Sequence, residues 1–168
     1  MSEAAVITRS KLNDADSLPM AGSVLIIDDE AEIRESLETL LEMEGYDVET
    51  AATGQQGLNR IGQRAFDLIL LDLALPDRNG MDILADVHTQ DPGLSVIMIT
   101  AYGTVENAVK AMQSGASNFV QKPWDNEKLL ADVRAAIARH RAEEENIQLK
   151  RALKQRYNFE HIVGKSEP

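Results

Sequence analysis

The sequence predicts an α/β fold, an open, doubly wound parallel sheet of five strands followed by an extended carboxy-terminal helix. Short apolar runs alternate with helical stretches over about a hundred residues, the pattern that builds parallel strands joined by crossover helices. The run Phe66-Asp67-Leu68-Ile69-Leu70-Leu71-Asp72 is apolar at five of seven positions and too short for an amphipathic helix, so it reads as a strand buried on both faces. It ends on a carboxylate, Asp72, and Val24-Leu25-Ile26-Ile27 likewise ends on Asp28-Asp29. In open α/β sheets the functional crevice lies beyond the carboxyl ends of the strands, where strand order reverses. If these two strands are neighbours, three carboxylates share one rim.

The elements follow in order. Residues 1–22 mix Ser, Asp, Asn and Pro19 with scattered aliphatics and read as a flexible leader. After the first strand, Ile33, Leu37, Leu40 and Leu41 fall at helical spacing until Gly45 supplies a left-handed stop. A short second strand covers Tyr46 to Ala51, and a helix from Gln55 to Gln63, capped by Thr53, turns Leu58 and Ile61 inward. Beyond Asp72, the turn-rich loop through Pro76, Asp77 and Gly80 precedes a helix marked by Ile83, Leu84 and Val87. Val96-Ile97-Met98-Ile99 is a fourth strand ending on Thr100. Val105, Ala108, Val109 and Met112 are expected to face the core from the next helix, which Gly115 stops. Asn118-Phe119-Val120 is the fifth strand, ending at Gln121-Lys122-Pro123. The last helix then buries Leu129, Leu130, Val133 and Ile137.

Composition narrows the functional classes. The 168 residues suffice for one core of ordinary size plus extra segments, and the absence of Cys removes disulfides, thiol catalysis and cysteine metal sites together. No apolar run is long enough to span a membrane and the amino terminus lacks the pattern of a signal peptide, so a cytoplasmic location is expected. Residues 23–124 hold 17 acidic and 6 basic side chains. A surface of that sign repels nucleic acid, so any contact with DNA is expected outside this chain.

Each strand end contributes a different chemical group: Asp28 and Asp29, Asp72, Thr100, Lys122. Two unit charges ~5 Å apart at an effective dielectric of ~20 repel by ~3 kcal/mol, so three gathered carboxylates call for a cation. Oxygen ligands without His or Cys suit a hard ion, and open positions for water and phosphate suit Mg²⁺. Carboxylates, a hydroxyl and an ammonium on one rim meet the needs of phosphoryl transfer onto an aspartate, with Asp72 as nucleophile. Taken singly, each residue has an ordinary reading: the Asp residues as helix caps, Thr100 as a strand end, Lys122 as a solvated lysine. Their joint occurrence carries the inference.

With these residues in view, 24–137 resemble the receiver domain of two-component response regulators, with Asp28-Asp29, Asp72, Pro76, Gly80, Thr100-Ala101 and Lys122-Pro123 in the family's order and spacing. The resemblance implies a flavodoxin-like sheet in the order 2-1-3-4-5 and a chain that is not an enzyme. It implies that Asp72 accepts phosphate from a sensor histidine kinase, that Asp28, Asp29, Asp72 and the backbone carbonyl of Ala74 hold Mg²⁺, and that Lys122 contacts the phosphate. Thr100 would be the switch hydroxyl and Phe119 would occupy the rotating aromatic position, although a Phe there is also an ordinary core residue and lacks a Tyr hydroxyl.

Residues 138–157 remain helix-forming, with Ala142 and Leu149 at one seam position and Asn146 and Leu153 at the other. They read as a helical linker, either solvated or paired as a short coiled coil in a homodimer. Tyr157 to Ser166 resembles the opening of the AAA+ ATPase domain of nitrogen-regulation-type (NtrC-like) activators of sigma-54 RNA polymerase, so 158–168 is expected to begin such a domain, cut short. Gly164-Lys165-Ser166 is no phosphate loop, because the earlier glycine of that motif would fall on Phe159. An aspartate-nucleophile phosphatase of the haloacid-dehalogenase type would need an acid at position 74, where Ala stands, and an FMN binder would place its phosphate against Asp28-Asp29-Glu30. A receiver-like module that is never phosphorylated would not need the intact acid set.

Overall fold

A computed structural model describes residues 21–165, so most of the leader expected over 1–22, and the last three residues of the segment 158–168, lie outside the described residues. The elements are β1 Ser23–Ile27, α1 Ala31–Met43, β2 Asp47–Ala51, α2 Gly54–Gln63, β3 Leu68–Leu71, α3 Gly80–Gln90, β4 Ser95–Thr100, α4 Val105–Gln113, β5 Asn118–Gln121 and α5 Asn126–Lys165. All strand pairs are parallel and the sheet order is β2-β1-β3-β4-β5, as expected.

The apolar strands alternate between two faces. Leu25, Ile27, Ile69, Leu71, Val96 and Met98 pack with Leu58 of α2, with Ile83, Leu84 and Val87 of α3, and with Ala111 of α4. Val24, Ile26, Leu68, Leu70, Ile97 and Ile99 pack with Leu37 and Leu41 of α1 and with Leu129, Leu130, Val133, Ala136 and Ile137 of α5. Thr53 caps α2, its side chain accepting from the Gln56 N–H, and Gly45 and Gly115 take the left-handed turns that end α1 and α4, at φ of 90° and 102°.

One helix faces differently from the sequence expectation. Val105, Val109 and Met112 are 82%, 48% and 49% exposed, and the fully buried residue of α4 is Ala111, with Ala108 half-buried. Two stripes are available at helical spacing, and the side with small residues lets the helix backbone lie close against the sheet. The large aliphatics consequently point to solvent, and Tyr102 is likewise 61% exposed.

At the amino-terminal edge of the sheet, Asp67 ties three elements together. Its carboxylate accepts from the backbone N–H of Ser23 at 2.9 Å and the Ser23 hydroxyl at 3.3 Å, and from the Arg141 guanidinium at 3.2 Å; His140 Nδ1 lies 3.2 Å away. Burial pushes the Asp67 carboxyl up, but these partners together hold it below its ordinary value. His140 is buried, and the side chains from 141 to 158 are exposed, so this cluster marks where α5 leaves the domain. Asp67→Asn is expected to destabilise the protein by ~1–3 kcal/mol at neutral pH, because it removes a charged acceptor shared by several donors. A carboxyl depressed in the folded state stabilises above its unfolded pKa and loses that contribution as pH falls through the folded value. The gap in melting temperature between wild type and variant should therefore narrow on acidification, and a gap independent of pH would refute the ionic role.

Candidate functional site

Register brings the acids together. Ile27 pairs with Leu71, so Asp28 and Asp72, each the next residue, emerge side by side, and the Asp72 N–H donates to the Ile27 carbonyl at 2.9 Å. Asp28 and Asp72 are buried, whereas Asp29 and Glu30 are exposed. One carboxylate oxygen from each of these four residues lies within 4.8 Å of the others.

Lys122, at the end of β5, enters this cluster from two strands away. Its ammonium lies 2.7 Å from Asp28 Oδ2, 3.3 Å from Asp72 Oδ2 and 3.4 Å from Glu30 Oε1. Burial works against its charge, yet Asp28 and Asp72 hold the ammonium above its ordinary pKa. Asp72 shifts upward: burial and the neighbouring Asp28 charge raise its carboxyl, and Lys122 and the Ala74 N–H offset this only in part. One lysine does not neutralise the group. Of these carboxylates Glu30 is turned to Lys122, while Asp28, Asp29 and Asp72, without His or Cys, fit a hard divalent cation that would relieve the charge imbalance on Asp72.

The loop after Asp72 folds back closely over its backbone. Ala74 bridges to Asn79, the Gly80 N–H donates to the Leu73 carbonyl at 2.7 Å, and Asn79 caps α3 by accepting from the Met81 N–H at 2.8 Å. A Cβ at Gly80 would collide with the Asp72 carbonyl oxygen and sit 2.7 Å from Leu73 Cα, so this close approach requires glycine. Asp77 fastens the loop to α2 by accepting from the N–H groups of Gly54 and Gln55 at 2.9 and 3.0 Å. These donors at the start of a helix hold its carboxyl below the usual range.

The remaining expected residues sit around this centre. Thr100 is fully buried at the end of β4, its hydroxyl accepting from the Tyr102 N–H at 3.1 Å. Leu71 pairs with Met98, which sets Thr100 one residue higher on the neighbouring strand than Asp72. Ala74 donates its N–H to Asp72 Oδ1 at 3.3 Å. Phe119 stands apart, half-buried against the core and lining a cavity of about 470 Å³ with Val105, Ala108, Trp124 and Leu129. The Lys122–Pro123 peptide is cis. Sequence reasoning missed Glu30, Asp77 and Arg34, whose guanidinium donates to the Asp28 carbonyl at 2.8 Å. Glu30 could have been found from its place beside the acidic pair, whereas the other two contacts depend on how loops fold back.

This fold, with acids at the ends of its first and third strands and a lysine at the end of its fifth, defines a class that comparison confirms. Residues 24–134 match the response regulator receiver domain, and the chain belongs to that family. It is 38% identical over 133 residues to the alginate biosynthesis transcriptional regulatory protein AlgB of Pseudomonas aeruginosa, covering 76% of this chain and 30% of that regulator. It is 35% identical over 121 residues to the transcriptional regulatory protein ZraR of Klebsiella oxytoca, covering 72% of this chain and 27% of that one. Among solved structures, a CheY-like receiver domain from Methanospirillum hungatei JF-1 superimposes with a TM-score of 0.69 at 37% identity, over 72% of this chain and 97% of that one. NtrX of Brucella abortus, crystallised with ADP, superimposes with a TM-score of 0.73 at 32% identity, over 77% and 30%. The chain thus spans about a third of the length of the larger regulators it matches, and the NtrC-like resemblance is consistent with them.

A carboxyl raised in the folded state costs stability once it ionises, a cost absent below its unfolded pKa and complete above the folded one. Asp72→Asn is therefore expected to melt a few degrees above wild type at neutral pH without divalent ions, with ~1 kcal/mol corresponding to about 4 °C at this size. The advantage should shrink as pH is lowered through the carboxylate range. A variant less stable than wild type at pH 7 would contradict the charge imbalance.

Proposed function

We propose that Asp72 is the phosphoacceptor of a two-component response regulator and that a sensor histidine kinase is its donor. The observation that carries this reading is the Lys122 ammonium shared by the buried carboxylates of Asp28 and Asp72 on the rim of the sheet. One Asp72 oxygen attacks phosphorus, the bond from phosphorus to the donor nitrogen breaks, and an acyl phosphate forms. Asp28, Asp29 and Asp72, with the backbone carbonyl of Ala74, would hold Mg²⁺, which supplies positive charge to the phosphoryl oxygens when bound. Lys122, already within hydrogen-bonding reach of Asp72, contacts those oxygens in turn. Thr100 accepts from Tyr102 and keeps its hydroxyl proton free to donate to the phosphoryl group. That movement reshapes the α4 and β5 side of the domain, where Phe119 lies. The chain acts as an acceptor that assists its own phosphorylation and dephosphorylation, without turnover of a separate substrate.

In this reading 1–22 is a leader, 23–137 the receiver, 138–157 a helical linker and 158–168 the start of a sigma-54 activation ATPase. The phosphoryl signal switches that ATPase, and sigma-54 RNA polymerase and DNA are reached only through domains beyond this sequence. The setting is cytoplasmic, in keeping with described helices that are none of them long and apolar enough to cross a membrane. Incubation with acetyl phosphate and Mg²⁺ should add the mass of one phosphoryl group to wild type. Asp72→Asn should gain none, and chelation should abolish the gain in wild type. A phosphorylated Asp72→Asn sample would defeat the assignment.

The linker is read as a dimer element, because Ile147, Leu149, Leu153 and Tyr157 are all half exposed or more along α5. Sedimentation at tens of micromolar should show a dimer for the full chain and a lighter species for a version ending at Ala138, with beryllofluoride shifting the balance. Monomers throughout would remove the dimer from the mechanism.

A further inference from the structure

Glu30 occupies the amino-cap position of α1, where the shorter side chains of Ser, Thr, Asp or Asn would accept from a free N–H of the first turn. It makes no such bond. Its own N–H is held at 2.9 Å by Asp28 Oδ1, its carbonyl accepts from the Arg34 N–H at 3.0 Å, and its carboxylate faces Lys122 Nζ at 3.4 Å. The backbone is pinned on both sides and the side chain is directed at the ammonium. Of the three carboxylates around Lys122, those of Asp28 and Asp72 are 3% and 5% exposed, whereas that of Glu30 is 60% exposed. Two partners are fixed in the protein and the third is free to leave.

We propose that Glu30 is a positioning residue that competes with the phosphoryl group for Lys122 and so shortens the life of the phosphorylated state. The inference rests on the reading of Asp72 as phosphoacceptor. When Asp72 carries a phosphoryl group, Lys122 must turn its N–H donors to the phosphoryl oxygens. Asp28 stays engaged at its buried position. Glu30 remains a negative charge beside the ammonium and beside the new dianion, drawing the donor away and repelling the oxygens. Loss of the phosphoryl group proceeds by attack of water on phosphorus. The bond from phosphorus to the Asp72 oxygen breaks, inorganic phosphate leaves, and the carboxylate is restored to the three-way contact with Lys122. Glu30 thus favours the unmodified state, in which its ion pair is intact.

The test compares wild type, Glu30→Gln and Glu32→Gln. Glu32 lies in the first turn of the same helix, is exposed, and makes none of the ion pairs of Lys122. Each protein is phosphorylated with acetyl phosphate and Mg²⁺, the donor is removed, and the phosphorylated fraction is followed by intact mass. The Mg²⁺ dependence of the melting temperature is measured in parallel. Glu30→Gln should decay more slowly than wild type by roughly two- to fivefold, the scale of an exposed ion pair, with its Mg²⁺ midpoint changed by less than about twofold. Glu32→Gln should decay as wild type does. Equal decay in Glu30→Gln and wild type overturns the proposal, as does equal slowing by Glu32→Gln, which would reduce the effect to net charge. Loss of the Mg²⁺ response in Glu30→Gln would make Glu30 a metal ligand and also overturn it. A wild type that never gains the phosphoryl mass overturns the phosphoacceptor reading itself, an outcome distinct from unchanged decay.

Discussion

The contact between the Lys122 ammonium and the buried carboxylates of Asp28 and Asp72 is the interaction on which the carboxyl edge of this domain depends. Two carboxylates with almost no access to water, side by side on adjacent strands, repel each other in a medium that screens poorly. The lysine comes from the last strand of the sheet and so couples the closure of the whole α/β unit to the electrostatics of its first and third strands. It leaves the account incomplete, since Asp72 still titrates above its ordinary value. That incompleteness leaves excess negative charge on the rim, held next to the Asp72 carboxyl.

Backbone geometry places these charges with little help from the side chains themselves. The pairing of Ile27 with Leu71 sets Asp28 beside Asp72, and the pairing of Leu71 with Met98 sets Thr100 one step higher. A slip of one residue would turn either acid into the core, where its charge has no partner, so the apolar faces and the acidic rim enforce the same register. Gly80 extends the arrangement by letting the following loop fold directly over the Asp72 backbone.

Much of this was legible in the sequence because the signals were redundant. Doubly buried strands announce themselves as unbroken apolar runs, and the residues just after them fall on the rim whatever the loops do. Asp28, Asp29, Asp72, Thr100 and Lys122 were therefore placed by strand ends alone. The face of α4 was misread because Val105, Val109 and Met112 and the smaller Ala108 and Ala111 both recur at helical spacing, and size favours the wrong stripe when close packing on the sheet selects small residues. The Asp67, His140 and Arg141 cluster was invisible for a different reason: Asp67 lies 73 and 74 positions from its two partners, and nothing local marks any of them as a partner. Glu30 was visible only as part of an acidic run, with no indication that its side chain abandons the helix it begins.

That same cluster has a mechanical consequence. His140 is the last buried side chain of α5 among the described residues, and the helix continues to Lys165, so at 1.5 Å per residue about 38 Å of it lies beyond His140. A rigid rod of that length converts a tilt of about 5° at its base into a displacement of about 3 Å at its tip, a substantial part of the spacing between helical ridges. Shifts too small to disturb the sheet are thus magnified at the far end of the helix. The ion pairs and hydrogen bonds around Asp67 form the base of that rod.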